Sequence, residues 1–195
     1  PLKYENKREL LEKYKVEFNE ETPLIGVIGR LVDQKGFDLI EKIMPELMKL
    51  DVQMIILGTG EEKYQKFLKK AEKKYKDKLA VHIGFDETLA HQIEAAADMY
   101  LMPSKYEPCG LNQMYSLKYG TVPIVRNTGG LADTIIDYKK PHGNGFLFNN
   151  YDAKELMKVI ETALELYKDK SKWNKIARQG MSLDFSWKVS AQKYM

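Results

Sequence analysis

Short apolar runs alternate along this chain with longer stretches in which apolar residues recur every three or four positions. Leu24–Gly29, Val52–Leu57, Leu79–Ile83, Met99–Met102 and Val122–Val125 are such runs, and Phe146–Phe148 reads as a sixth, edge strand. A run that is apolar throughout, without alternation, marks a strand buried on both faces of a parallel sheet. Between the runs, Phe37, Leu39, Ile40, Ile43, Met44 and Leu47 fall at helical spacing. A Lys/Glu-rich helix to Lys74 follows, then another over Glu87–Ala97. Further helices are predicted at Asn6–Tyr14, Gly110–Tyr119, Thr128–Ile136, Ala153–Lys168 and Ser171–Gln179, with a terminal helix in 185–195. Strands that alternate with helices pair in parallel through right-handed crossovers. The expected fold class is therefore α/β, a doubly wound parallel sheet of Rossmann-like form, in a single domain over residues 1–195. The chain opens on Pro1 rather than a methionine, which reads as the start of a fragment.

At 195 residues the chain is long enough to bury a substantial core. Basic and acidic residues nearly balance, 31 against 28, so a net charge of +3 gives no reason to expect nucleic acid. The densest lysines, from Lys63 to Lys74, recur as they do on a solvated helix face. Cys109 is the only cysteine, which excludes an internal disulfide and fits a reducing, cytoplasmic setting. His82, His91 and His142 have no zinc spacing, and no apolar run reaches the length of a membrane span.

Ligands of a doubly wound sheet sit beyond the carboxyl ends of its strands, so the polar residues there are the candidates. Arg30 and Lys35 follow the first strand. A guanidinium fork and an ammonium point charge suit a diphosphate, although a carbonyl cap and a solvated lysine read the same way. Gly58-Thr59-Gly60 closes the second strand and would let a ligand approach the backbone. The chain lacks both the full dinucleotide fingerprint and the phosphate loop that ends in Gly-Lys-Ser/Thr.

Phe85, after the third strand, is placed either to stack on a base or to join the core. Glu107 and a helix opening at Gly110 follow the fourth strand, and Thr128-Gly129-Gly130 opens a helix after the fifth. Successive N–H groups and the positive dipole end of such a helix favour an anion. Cys109 stands where a thiol pKa can be lowered, with a packed, unreactive cysteine the more ordinary reading. Asp133 and Asp137 fall on a presumed helix as surface or capping residues. Each feature alone also describes an ordinary strand–helix turn. Gathered at one edge of one sheet, they favour a ligand that carries phosphate and hydroxyls.

Four stretches carry a resemblance. They are Ile28-Gly-Arg30-Leu-Val-Asp-Gln34-Lys35-Gly36, Ile83-Gly84-Phe85-Asp86-Glu87, Pro103-Ser-Lys-Tyr-Glu107-Pro-Cys-Gly110-Leu111-Asn112-Gln113 and Arg126-Asn-Thr128-Gly-Gly-Leu131-Ala-Asp-Thr134. With the closing Phe185-Ser-Trp187-Lys-Val-Ser-Ala191, they resemble the bacterial glycogen synthase and plant starch synthase family from about Pro23 to the end. The resemblance implies a retaining transferase that moves glucose from ADP-glucose to the non-reducing end of an α-1,4-glucan. It also implies the carboxyl-terminal, donor-binding half of a two-domain (GT-B) architecture, in the cytoplasm or, in a plant, the plastid.

By position, Arg30 and Lys35 would neutralise the diphosphate leaving group, electrostatically and without a metal or other cofactor. Phe85 would meet adenine and Glu107 the sugar hydroxyls. Gly58, Gly110, Leu111, Asn112, Thr128 and Gly129 would complete the donor site. The implied partners are ADP-glucose or ADP, the glucan acceptor and an amino-terminal domain, with neither nucleic acid nor membrane. Related transferases of other branches use UDP- or GDP-sugars, and a non-catalytic glucan-binding module is the alternative from another class. Two departures limit the carry-over. Related retaining transferases place a second glutamate eight positions after the first, where this chain has Tyr115. The family's Lys-x-Gly-Gly loop, histidine and aspartate come from the amino-terminal domain and are absent. This chain alone is therefore expected to bind ADP weakly and not to transfer glucose.

Overall fold

The structure, a computed structural model, describes residues 2–192. Six strands form one sheet: β1 (Leu24–Ile28), β2 (Gln53–Gly58), β3 (Leu79–Ile83), β4 (Met99–Met102), β5 (Val122–Arg126) and β6 (Phe146–Phe148). All neighbours run parallel in the order β3-β2-β1-β4-β5-β6, the doubly wound order that reverses between β1 and β4. The apolar runs are long enough for this because successive side chains feed opposite faces. Ile25, Val27, Met54 and Ile56 enter one core, beneath α2 (Phe37–Leu47), α3 (Glu62–Lys74) and α7 (Ala153–Tyr167). Leu24, Ile55 and Leu57 enter the other, with α1 (Leu2–Lys13) and α4 (Glu87–Ala96). Beyond α4 on that second face, α5 (Asn112–Lys118) and α6 (Gly129–Thr134) cover β4 and β5 through Leu117 and Leu131.

The expected alternation holds, with local differences that have physical causes. The first helix begins at Leu2 rather than Asn6. Gly58 is the last residue of β2 and not a turn. Gly110 takes φ +73 in the left-handed region and lies in the turn before the helix, which starts at Asn112. The helix after β5 ends at Thr134, leaving Asp137 outside it, where its carboxylate accepts from Lys139 N and Leu147 N. Two further helices follow, α8 (Lys170–Ser182) and α9 (Trp187–Gln192). The rest of the predicted terminal helix, 193–195, lies outside the described residues. Among those residues no helix is long and apolar enough to cross a membrane.

The first helix is held by an interaction that its pattern does not announce. Lys7 is fully buried, and its Nζ donates to Asp98 Oδ2 at 2.8 Å and to Thr22 O at 2.6 Å. Asp98 Oδ2 also accepts from Leu24 N at 2.8 Å. One carboxylate thus joins α1, the entry to β1 and the start of β4. Removing one member of such a pair strands a buried charge. Asp98→Ala is expected to lower unfolding stability by about 3–5 kcal/mol in urea denaturation. Lys7→Met combined with Asp98→Leu should cost clearly less, because no charge is left unpaired. Equal losses in the two variants would refute this account.

Candidate functional site

The cleft begins where β1 and β4 part. They share only two register pairs, Ile25–Met99 and Gly26–Tyr100. Beyond these, the Tyr100 hydroxyl bridges the gap by donating to Ile28 O at 3.0 Å and accepting from Asn112 Nδ2 at 2.9 Å. Burial holds this phenol well above its ordinary pKa, so it stays a neutral donor. Above the bridge opens a cleft of 390 Å³, the size of a small-molecule site, with Arg30, Gly58, Phe85, Glu94, Asn112 and Tyr115 in its walls. Phe85 is 89% exposed and packs into no core, which leaves its ring face free for a ligand.

Beside the cleft, Lys35 and Glu107 meet each other, Nζ to Oε2 at 2.5 Å, and Ser104 Oγ lies 3.3 Å from the same oxygen. The sequence assigned these two residues separate tasks, and the structure makes them one ion pair. Arg30 is exposed and donates to Gln34 Oε1 at 3.0 Å. Gln34 in turn is tied to the loop after β4, since its Nε2 donates to Tyr106 O and its carbonyl accepts from Lys105 N. Arg126, at the end of β5, donates to the carbonyls of Ser104 and Lys105. The loop that carries Glu107 is therefore pinned from both sides.

The two glycine-containing loops touch backbone to backbone. A Cβ on Gly129 would lie 2.2 Å from Glu107 O, and one on Gly130 would lie 2.1 Å from Cys109 O. The Gly130 N–H donates to Glu107 O at 3.0 Å, so it is spent inside the protein and does not serve as part of an open anion nest. What remains around the start of α5 is different: among the described residues no carbonyl accepts from the amides of Gly110 or Leu111. Gly58 likewise has a structural reason, since a Cβ there would lie 2.1 Å from Gly29 O, just past the end of the neighbouring strand β1. Cys109 is exposed rather than packed.

Of the residues singled out from the sequence, Arg30, Gly58, Phe85 and Asn112 share the cleft. Lys35 and Glu107 form the pair beside it, and Gly110, Leu111, Thr128 and Gly129 lie in the two touching loops. Sequence reasoning passed over Glu94, Tyr100 and Arg126. Arg126 stood at a strand carboxyl end, a usable signal, whereas Glu94 and Tyr100 sit inside elements that read as ordinary core.

Residues 9–180 match the family described as glycosyl transferases group 1. The chain is 51% identical over 193 residues to a glycogen synthase of Pseudothermotoga lettingae, covering 97% of this chain and 40% of that protein. It is 48% identical over 195 residues to a glycogen synthase of Clostridioides difficile, covering 99% of this chain and 41% of that one. The catalytic domain of starch synthase IV from Arabidopsis thaliana, solved with ADP and acarbose, superposes with a TM-score of 0.92 at 37% identity. That match covers 98% of this chain and 41% of the other. The chain thus spans about two fifths of the length of the curated relatives it matches.

The ion pair gives a direct prediction. In a double-mutant cycle on stability with Lys35→Met and Glu107→Gln, the two sites should couple by about 1–3 kcal/mol. Additivity within about 0.5 kcal/mol would mean that the contact contributes nothing.

Proposed function

This chain belongs to the group 1 glycosyl transferases, and from that premise we propose that it is the donor-binding part of a glycogen or starch synthase. The enzyme would move glucose from ADP-glucose to the non-reducing end of an α-1,4-glucan, with retention of configuration. The observation that carries this reading is the cleft at the β1–β4 divergence. Its walls include an exposed aromatic, Phe85, and an exposed guanidinium, Arg30, in a chain whose fold is shared with an ADP-bound starch synthase.

Adenine would stack on Phe85, and the diphosphate would lie toward Arg30 and the amides before α5. Lys35 carries three donors, so one can remain on Glu107 while another reaches a phosphate oxygen. As the glycosidic bond to phosphate breaks, negative charge grows on the leaving ADP. Cations already fixed beside it stabilise that charge without reorganisation, and they do so without a metal ion. Glu107, held by Lys35 and by the Ser104 hydroxyl, would accept from the glucose hydroxyls and orient the sugar. The acceptor glucan would approach from the open side of the cleft, and an amino-terminal domain would supply the remaining groups around the glucose. This chain alone would therefore bind ADP without elongating glucan, in the cytoplasm of a bacterium.

Calorimetric titration of this chain tests the reading. ADP should bind with a Kd of about 0.1–1 mM, or roughly 4–5.5 kcal/mol, and more tightly than UDP. Arg30→Ala should weaken ADP binding by about tenfold or more, the worth of a charge-assisted hydrogen bond. A preference for UDP would keep the fold and reassign the donor. Glucan elongation from ADP-glucose by this chain alone would overturn the claim that it needs a second domain.

A further inference from the structure

We propose that Glu94 reads the ribose of the bound nucleotide, its carboxylate accepting hydrogen bonds from the 2′- and 3′-hydroxyls at the floor of the cleft. This rests on the reading that the cleft takes a nucleoside diphosphate sugar.

Glu94 lies on α4, one turn beyond Ala90 and His91, and all three line the cleft. Its side chain is only 2% exposed. A carboxylate taken out of water is unfavourable unless its lone pairs are met. Here His91 Nδ1 stands 3.0 Å from Oε2, and among the described residues no protein donor meets Oε1. The Tyr100 hydroxyl does not fill that role, because its proton goes to Ile28 O. Packing does not call for a carboxylate at this position either: Leu89 and Ile93 of the same helix supply the apolar contact with the sheet. Burial raises the carboxyl pKa, and donors from a ligand would restore the ionised form.

The group is also held still. Thr121 Oγ1 bonds the carbonyls of Glu94 and Ala97 at 2.5 and 2.8 Å, and Lys3 Nζ donates to the same hydroxyl at 2.7 Å. The His91 ring lies 6.2 Å from the rings of both Tyr115 and Tyr119.

Why the ribose follows from the remaining walls. A carboxylate repels phosphate, which places the diphosphate toward Arg30. Phe85 offers an aromatic face to the base. The sugar that joins base to phosphate then passes the floor, and its vicinal hydroxyls are two donors for a carboxylate with open lone pairs. Dinucleotide-binding sheets use the same acid–diol chemistry from a different strand.

The test compares ADP, 2′-deoxy-ADP, 3′-deoxy-ADP and inosine diphosphate by calorimetry on the unaltered chain and on Glu94→Met. The unaltered chain should lose about ten- to a hundredfold in affinity when a hydroxyl is removed, the worth of a hydrogen bond to a charged group. Glu94→Met should bind ADP and both deoxy forms within about threefold of one another, with its fold checked by thermal melting. Equal binding of ADP and its deoxy forms by the unaltered chain overturns the proposal and leaves the donor-site reading intact. A loss confined to inosine diphosphate reassigns Glu94 to the adenine amino group and also overturns it. Failure of the unaltered chain to bind any of the four removes both readings together.

Discussion

The parting of β1 from β4 is the constraint on which the site depends. Crossover connections leave β1 on one side of the sheet and return to β4 on the other, so no loop covers the point between them. The two strands stay paired only through Ile25–Met99 and Gly26–Tyr100. A phenol then replaces the missing ladder bond, and because it also accepts from Asn112 it sets the position of α5 relative to β1. The bridge is neutral and buried, which suits a joint beneath a ligand that brings its own negative charge. A charged group in its place would either attract or repel the phosphate it lies under.

The carboxyl edge is rigid for a second reason. Its loops contact each other through backbone atoms, with glycine at Gly129 and Gly130 where any side chain would collide with Glu107 or Cys109 carbonyls. Backbone contacts have no rotamers to lose. Glu107 is therefore presented by a loop fixed through Gly130, through Gln34 and through Arg126. In the absence of ligand its carboxylate is neutralised by Lys35. The pair gives the buried Glu107 carboxylate a counter-charge and leaves Arg30, which has no carboxylate partner among the described residues, as the cation to meet an incoming phosphate. That division of roles explains why two neighbouring cations on one loop are not redundant.

Away from the cleft, the Lys7–Asp98 pair shows the opposite use of charge. It does not line the cleft, its Asp98 Oδ2 accepts from both the Lys7 ammonium and the Leu24 amide, and it fastens α1 to the sheet. Glu94 has a comparable degree of burial but a single protein donor and a cleft in front of it. Burial is similar in the two carboxylates. What separates a fastening from a binding group is where the unfilled lone pairs point.

Much of this was legible in the chain itself. Uninterrupted apolar runs gave parallel strands because both faces of such a sheet are covered, and the helical spacing between them fixed the crossovers. The Glu107–Gln113 and Thr128–Thr134 stretches marked the carboxyl edge because glycine there serves backbone geometry, which is local and visible. What the sequence did not determine is which polar groups spend themselves on one another. Lys35 and Glu107 lie far apart in the chain, as do Gly130 and Glu107, or Tyr100 and Ile28. Their pairing, the loss of one amide from the supposed anion nest and the opening of α5 at Asn112 all depend on strand order and loop height. Glu94 reads as one more helix residue between two apolar neighbours. Only the tertiary structure turns it toward a cavity, since the facing direction of a helix is set by the sheet beneath it and not by the residue alone.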